Sequence, residues 1–195
     1  MLRIKGMKHT ALALCAALWT LPAAGQDFGA ALHDYYASSI TGWAQDPALI
    51  AAIRAQNAVT AGFTADQIAA ADRAWQAEIG AASTPTITPV LHNAAADFLR
   101  GQVAAAGGRI TEVILMDAVG LNVAVSAVTS DYWQGDEAKF SQTYAVGADA
   151  IHLGTIELDE STGRYAGQIS FTVVDPANGE AVGAMTVGLD AELIQ

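Results

Sequence analysis

Two hydrophobic periods divide this chain. From residue 27 to about residue 106, apolar positions recur every three or four residues, which gathers them on one side of an α-helix. From residue 110 onward they alternate with polar positions or run in short unbroken blocks, as strands do. In the helical part, Leu32, Tyr35 or Tyr36 and Ile40 predict a first helix over Phe28 to Trp43. Asp46 followed by Pro47 is an N-cap with proline at the first helical position, and it opens a helix carrying Leu49, Ile50, Ile53 and Val59. Thr64 to Gln67 reads as a capping box, ahead of an apolar stripe of Ile68, Ala71, Trp75 and Ile79. Thr88-Pro89 opens a last helix running to about Ala106, which Gly107-Gly108 stops.

The second part predicts five strands: Ile110 to Met116, Leu121 to Ser126, Ile151 to Leu158, Arg164 to Val174 and Ala181 to Leu189. Turn formers separate the first pair (Asp117 to Gly120), the third from the fourth (Asp159 to Gly163) and the fourth from the fifth (Asp175 to Gly179). Short turns predict that strands three to five pair as an antiparallel meander. Between strands two and three lies an insert, Thr129 to Tyr144, with a short helix expected over Asp136 to Tyr144. It gathers Tyr132, Trp133, Phe140 and Tyr144 with three acids and Lys139. A long insert of that composition suits either the wall of a small-molecule pocket or a cover whose aromatics join the core. With no repeat or linker dividing the chain, the reading is one α+β domain, helical over 26–106 and sheet over 107–195.

The first 25 residues change the picture. Arg3, Lys5 and Lys8 precede an apolar run from Thr10 to Leu21, and small residues follow it to Gly25, the pattern of a cleaved secretory signal. The apolar run is shorter than the roughly 20 residues of a membrane-spanning helix. The chain's single cysteine, Cys15, lies inside this segment, so a chain starting at Gln26 has no thiol for disulfides, catalysis or metal binding. Losing those three cations leaves six Lys and Arg against 20 Asp and Glu, a formal charge of −14. Such a surface lacks the basic footprint that nucleic acid or anionic lipid requires.

Two stretches carry a resemblance. One is Val113 to Ser126, with its hydrophobic-Asp-x-x-Gly turn at Asp117 to Gly120, followed by the Tyr132-Trp133-Gln134-Gly135-Asp136-Glu137 insert. The other is Gln168 to Leu189, built around Asp175 to Gly179 and Gly183. In that order they resemble the extracytoplasmic Cache (PDC) sensor domains, PAS-like folds of bacterial chemoreceptors and sensor kinases. The resemblance covers about Ile87 to Ile194. It implies an α+β fold in which N-terminal helices back a five-stranded antiparallel PAS-like sheet, with a ligand pocket between the sheet and the insert. In amino-acid-binding members, aromatic and basic residues of the insert hold a carboxylate and an acid near strands three and four holds the amine. By that analogy the ligand-binding residues are Tyr132, Trp133, Lys139, Phe140 and Tyr144, joined by His152 on the third strand and by Asp159. The insert has no arginine, whose planar fork grips a carboxylate in two places; Lys139 supplies only a point charge.

Each residue also has a plain structural use. Trp133 suits ligand stacking or packing under the insert, and Lys139 suits a carboxylate or a pair with Asp136 or Glu137. Asp117, Asp159 and Asp175 sit in turns that their side chains can stabilise. His33, His92 and His152 lack metal-motif spacing, and no nucleophile elbow, phosphate loop or carboxylate pair with clear roles stands out. The expectation is therefore a periplasmic, non-catalytic binding domain without cofactor or metal. Its ligand would be an amino acid, carboxylate or amine, and it would signal through a separate sensor kinase, chemoreceptor or transporter. The alternative is an exported interaction module that docks on a membrane receptor or transporter without a small ligand of its own.

Overall fold

Six antiparallel strands form one sheet in a computed structural model that describes residues 25–159 and 163–194. The expected export signal over residues 1–25 lies outside the described residues except for Gly25, as do residues 160–162 of the expected Asp159 to Gly163 turn. The strands are β1 (Ile110–Met116), β2 (Asn122–Val125), β3 (Ile151–Leu153), β4 (Glu157–Asp159), β5 (Arg164–Val174) and β6 (Ala181–Asp190). Their order is β2-β1-β6-β5, with β3 and β4 both pairing to the outer edge of β5. The single third strand expected over Ile151 to Leu158 is thus two. Gly154 still donates its N–H to the Gln168 carbonyl at 2.8 Å, after which the chain leaves the edge and rejoins it at Glu157.

The helices precede the sheet, except for one turn in the insert. Helix α1 (Gly25–Tyr35) continues through a π-helical turn, Tyr36–Ile40, into α2 (Thr41–Ala44). Helix α3 (Pro47–Thr60) starts where Asp46 accepts the Ala48 N–H at 2.8 Å, and α4 (Ala65–Glu78) starts at the complete Thr64/Gln67 capping box. The helix expected from Thr88 to Ala106 is broken into α5 (Ile87–Leu91) and α6 (Ala94–Ala105). Asn93 makes the break. Its Oδ1 caps α6 through the Ala96 N–H, while its Nδ2 donates to the Val123 carbonyl at 3.0 Å and pins the joint to β2. The insert helix is shorter than expected, a single turn α7 (Ala138–Ser141).

Strand alternation sends Val113, Leu115, Ile169, Phe171, Met185 and Val187 to one face of the sheet, where they pack against α1, α3 and α6. Helix α3 also fastens two strand turns. Buried Asp117 accepts from the Val119 and Leu121 N–H groups at 3.0 and 2.9 Å, and from Gln56 Nε2 and Thr60 Oγ1 of α3 at 3.0 and 2.9 Å. Arg54 of α3 pairs with Asp175 at the β5–β6 turn, and Asn57 links the β1–β2 turn to the start of β6 by accepting the Ala118 N–H and donating to the Val182 carbonyl. Both turn aspartates therefore act as anchors between layers.

Candidate functional site

The opposite face of the sheet is the one the insert covers. From one end to the other it presents Met116 and Ala184, then Ile114, Thr186 and Ser170, then Glu112, Gly188 and Gln168. The insert and α4 close the first part. Trp75 of α4, fully buried, stacks flat on Tyr132 with ring centroids 5.2 Å apart and planes 3° from parallel. Phe140 and Tyr144, 5.4 Å apart, pack in the same cluster against Ile114, Met116 and Ala184. These side chains pack together between the insert, α4 and the sheet.

Trp133 and Lys139 are occupied as well. The Trp133 indole lies against Gly135, where a Cβ would come within 2.3 Å of its Nε1, and its N–H donates to the Val119 carbonyl at 2.9 Å. Gly120, at φ +86°, admits Gly135 so closely that a Cβ would stand 2.7 Å from the Gly135 Cα. Trp133 is thereby a latch over the β1–β2 turn. Lys139 Nζ donates to Gln134 Oε1 at 2.9 Å and pairs with Glu137 at 3.1 Å, with its side chain only 14% exposed. Each thus has structural contacts: packing and a backbone hydrogen bond for Trp133, and a local pair with Glu137 for Lys139.

Polar bonds complete the clamp. Asp72 of α4 accepts the Tyr132 and Trp133 N–H groups at 2.8 and 3.0 Å, Gln76 donates to Asp131, and Trp75 Nε1 donates to the Thr129 carbonyl. At the other end of α4, the Glu78 carboxylate accepts the Thr86 and Ile87 N–H groups. Burial pushes the Glu78 pKa up, but the bonds from Thr86 and Ile87 together outweigh it and hold the group below its ordinary value. The Tyr132 phenol is pushed up to about 12, first by burial and then by the negative charge of Asp117.

Beyond the insert, the same face opens. Past the buried Ser170–Thr186 hydroxyl pair (2.9 Å) lies a cavity of about 380 Å³, floored by Ala166, Gln168 and Gly188 and walled by Thr111, Glu112 and the Gly154–Leu158 connection. Gly188 is needed there, because a Cβ would come within 2.6 Å of Thr111 Oγ1 and 2.7 Å of Glu112 Cγ. Gln168 Nε2 donates to Glu112 Oε1 at 3.0 Å across the floor. His152 stands on this face in register with Ser170, half-buried and two residues before cavity-lining Gly154. Asp159 ends β4 opposite Arg164, and its side chain lies outside the described residues. Sequence reading missed Glu112, Glu157 and Gln168. The available signal was weak: Glu112 is the one charged position in β1, and Gln168 is one of several polar positions in β5.

A second, larger hollow lies on the helical side. About 790 Å³ separates α3 from α5 and α6, walled by alanines of α3 with Val59, Phe63, Pro89 and Val90, and bordered by Tyr132. Among the described residues, no charged side chain lines it. Among the described residues, no group of three or more His, Cys, Asp or Glu could hold a metal ion, and no helix is long and apolar enough to cross a membrane.

No family model and no curated protein matches the chain. Among solved structures it is similar to the sensor domain of the Vibrio cholerae histidine kinase DctB, with 18% identity, 87% of this chain, 53% of that one and a TM-score of 0.48. It is similar to the ligand-binding domain of the Pseudomonas aeruginosa amino acid chemoreceptor PctC, solved with GABA, at 20% identity over 53% of this chain and 46% of that one (TM-score 0.42). The sensory domain of the Campylobacter jejuni chemoreceptor Tlp3 aligns at 14% identity over 86% and 66% (TM-score 0.39). The chain spans about half the length of the first two. Sensor domains of histidine kinases and chemoreceptors are the group that its sequence motifs resemble.

Proposed function

We propose that this protein is a non-catalytic, sensor-type binding domain whose small-molecule site is the cavity over Ala166, Gln168 and Gly188. The observation that carries the reading is the division of one sheet face. Half of it is sealed by the insert, and the other half is left as a hollow of about 380 Å³ with polar groups converging on its floor. That volume lies in the range of small-ligand pockets, roughly 300–1,000 Å³. Within this reading, Tyr132, Phe140 and Tyr144 shape the site by holding the insert down, and His152 flanks it. The leader-like first 25 residues support a periplasmic location, and a bound state would be passed to a membrane sensor kinase, chemoreceptor or transporter.

The test is thermal unfolding against a panel of amino acids, carboxylates, amines and purines, run on the protein and on Ala166→Leu, which fills the cavity floor. A ligand at about 100 times its Kd adds roughly 2.7 kcal/mol of stability, a rise of several degrees in Tm for a domain of this size. The expected result is such a rise for one chemical class and none for Ala166→Leu. A rise that Ala166→Leu leaves intact would place the ligand elsewhere. The apolar hollow beside α3, with Val59 68% exposed at its border, favours the second reading of an exported docking module. A panel without any response would shift the weight to it.

A further inference from the structure

Resting on that site, we infer that the cavity selects a primary amine or other small organic cation that carries no carboxylate. Gln168 Nε2 gives one of its two hydrogens to Glu112, so Oε1 and one N–H are left for a ligand. Glu112 accepts from Gln168 through one carboxylate oxygen, and its second has no hydrogen-bond partner among the described residues. Glu157, Thr111 and Thr155 add a carboxylate and two hydroxyls around the same space. The groups offered are thus chiefly acceptors, and an ammonium group brings three donors and no acceptor. None of the described lining residues is Lys, Arg or His, so a ligand carboxylate would meet two glutamates and no cation. The cation that a zwitterion would need is elsewhere: Lys139 is bound to Gln134 and Glu137 within the insert. Arg164, on the strand that floors the cavity, is bound to Asp190. The acidic excess of the whole chain, −11 by formal charge, steers cations toward it and anions away.

The test is isothermal titration of the purified protein with ethanolamine, 1,4-diaminobutane, alanine, succinate and glucose as probes, at low and high salt. The amines are expected to bind at least about tenfold more tightly than alanine or succinate, with affinity that falls as salt rises. Glu112→Gln and Glu157→Gln keep shape while removing charge, and each is expected to weaken amine binding by about tenfold, the size of one charge-assisted hydrogen bond. Unchanged Tm in the ligand-free variants would confirm that the fold is intact. Tightest binding of alanine, succinate or glucose, abolished by Ala166→Leu, would overturn the amine assignment and leave the cavity as the site. Amine binding untouched by Ala166→Leu and by both glutamine variants would overturn the site itself. Absence of amine binding across the panel would overturn the inference.

Discussion

Tyr132 shows how a single residue of the insert serves the fold. Its ring is stacked on Trp75, its N–H is held by Asp72, and burial with the nearby charge of Asp117 keeps its phenol protonated up to about pH 12. The folded-state pKa is raised above the ordinary 10.0, so the stability it contributes is complete below pH 10 and is lost as pH rises from 10 through 12. The loss is on the order of 3 kcal/mol, since one pKa unit corresponds to 1.36 kcal/mol. Urea unfolding across that range should show the decline, and Tyr132→Phe should be flatter there. An equal decline in Tyr132→Phe would assign the effect to other groups. At this scale the sequence was partly legible. The turn roles of Asp117 and Asp175 follow from an aspartate placed ahead of a turn glycine. The latch made by Trp133 does not, because it depends on Gly120 and Gly135 meeting beneath the indole, a contact between residues 15 apart.

Among the elements, α4 and the insert behave as one body. Helix α4 meets the rest of the protein largely through the side chains of Asp72, Trp75, Gln76 and Glu78, and three of these four bind the chain between Thr129 and Trp133. Replacing Asp72 by Ala leaves two amide donors without their acceptor, each worth about 1–3 kcal/mol if left unsatisfied. Amide hydrogen exchange in Asp72→Ala should therefore speed up over residues 129–135 while β1, β5 and β6 keep their protection. Uniform acceleration across the sheet would instead mean that Asp72 supports the whole fold. Helix starts were legible because Asp46 and the Thr64/Gln67 box act within a few residues of their own helices. The break at Asn93 was not, since its second partner, the Val123 carbonyl, lies 30 residues away. The division of the third strand had one local signal, Gly154, which breaks the run between Ile151 and Leu158 where the chain leaves the sheet edge.

For the molecule as a whole, the two layers have different duties. Helices α1, α3 and α6 fill one face with apolar packing, and α3 locks both strand turns by Asp117, Asn57 and Arg54. The other face is divided between the packed insert and the acceptor-lined hollow. The strands and the antiparallel pairing of the third to the fifth could be read from hydrophobic period and turn chemistry, while the placement of the insert over the sheet came from the family resemblance. The site could not, because Glu112, Glu157 and Gln168 come from three strands, and only the register of β1, β4, β5 and β6 brings them to one hollow. The most direct measurement is a titration of isotopically labelled protein with 1,4-diaminobutane, followed by amide chemical shifts in two dimensions. The Gly154, Gly167, Gln168 and Gly188 signals are expected to move together and saturate, while those of Trp133, Lys139 and Phe140 stay in place. Movement centred on Trp133 and Lys139, with the glycines of the cavity unmoved, would put the ligand beneath the insert and contradict the proposed site.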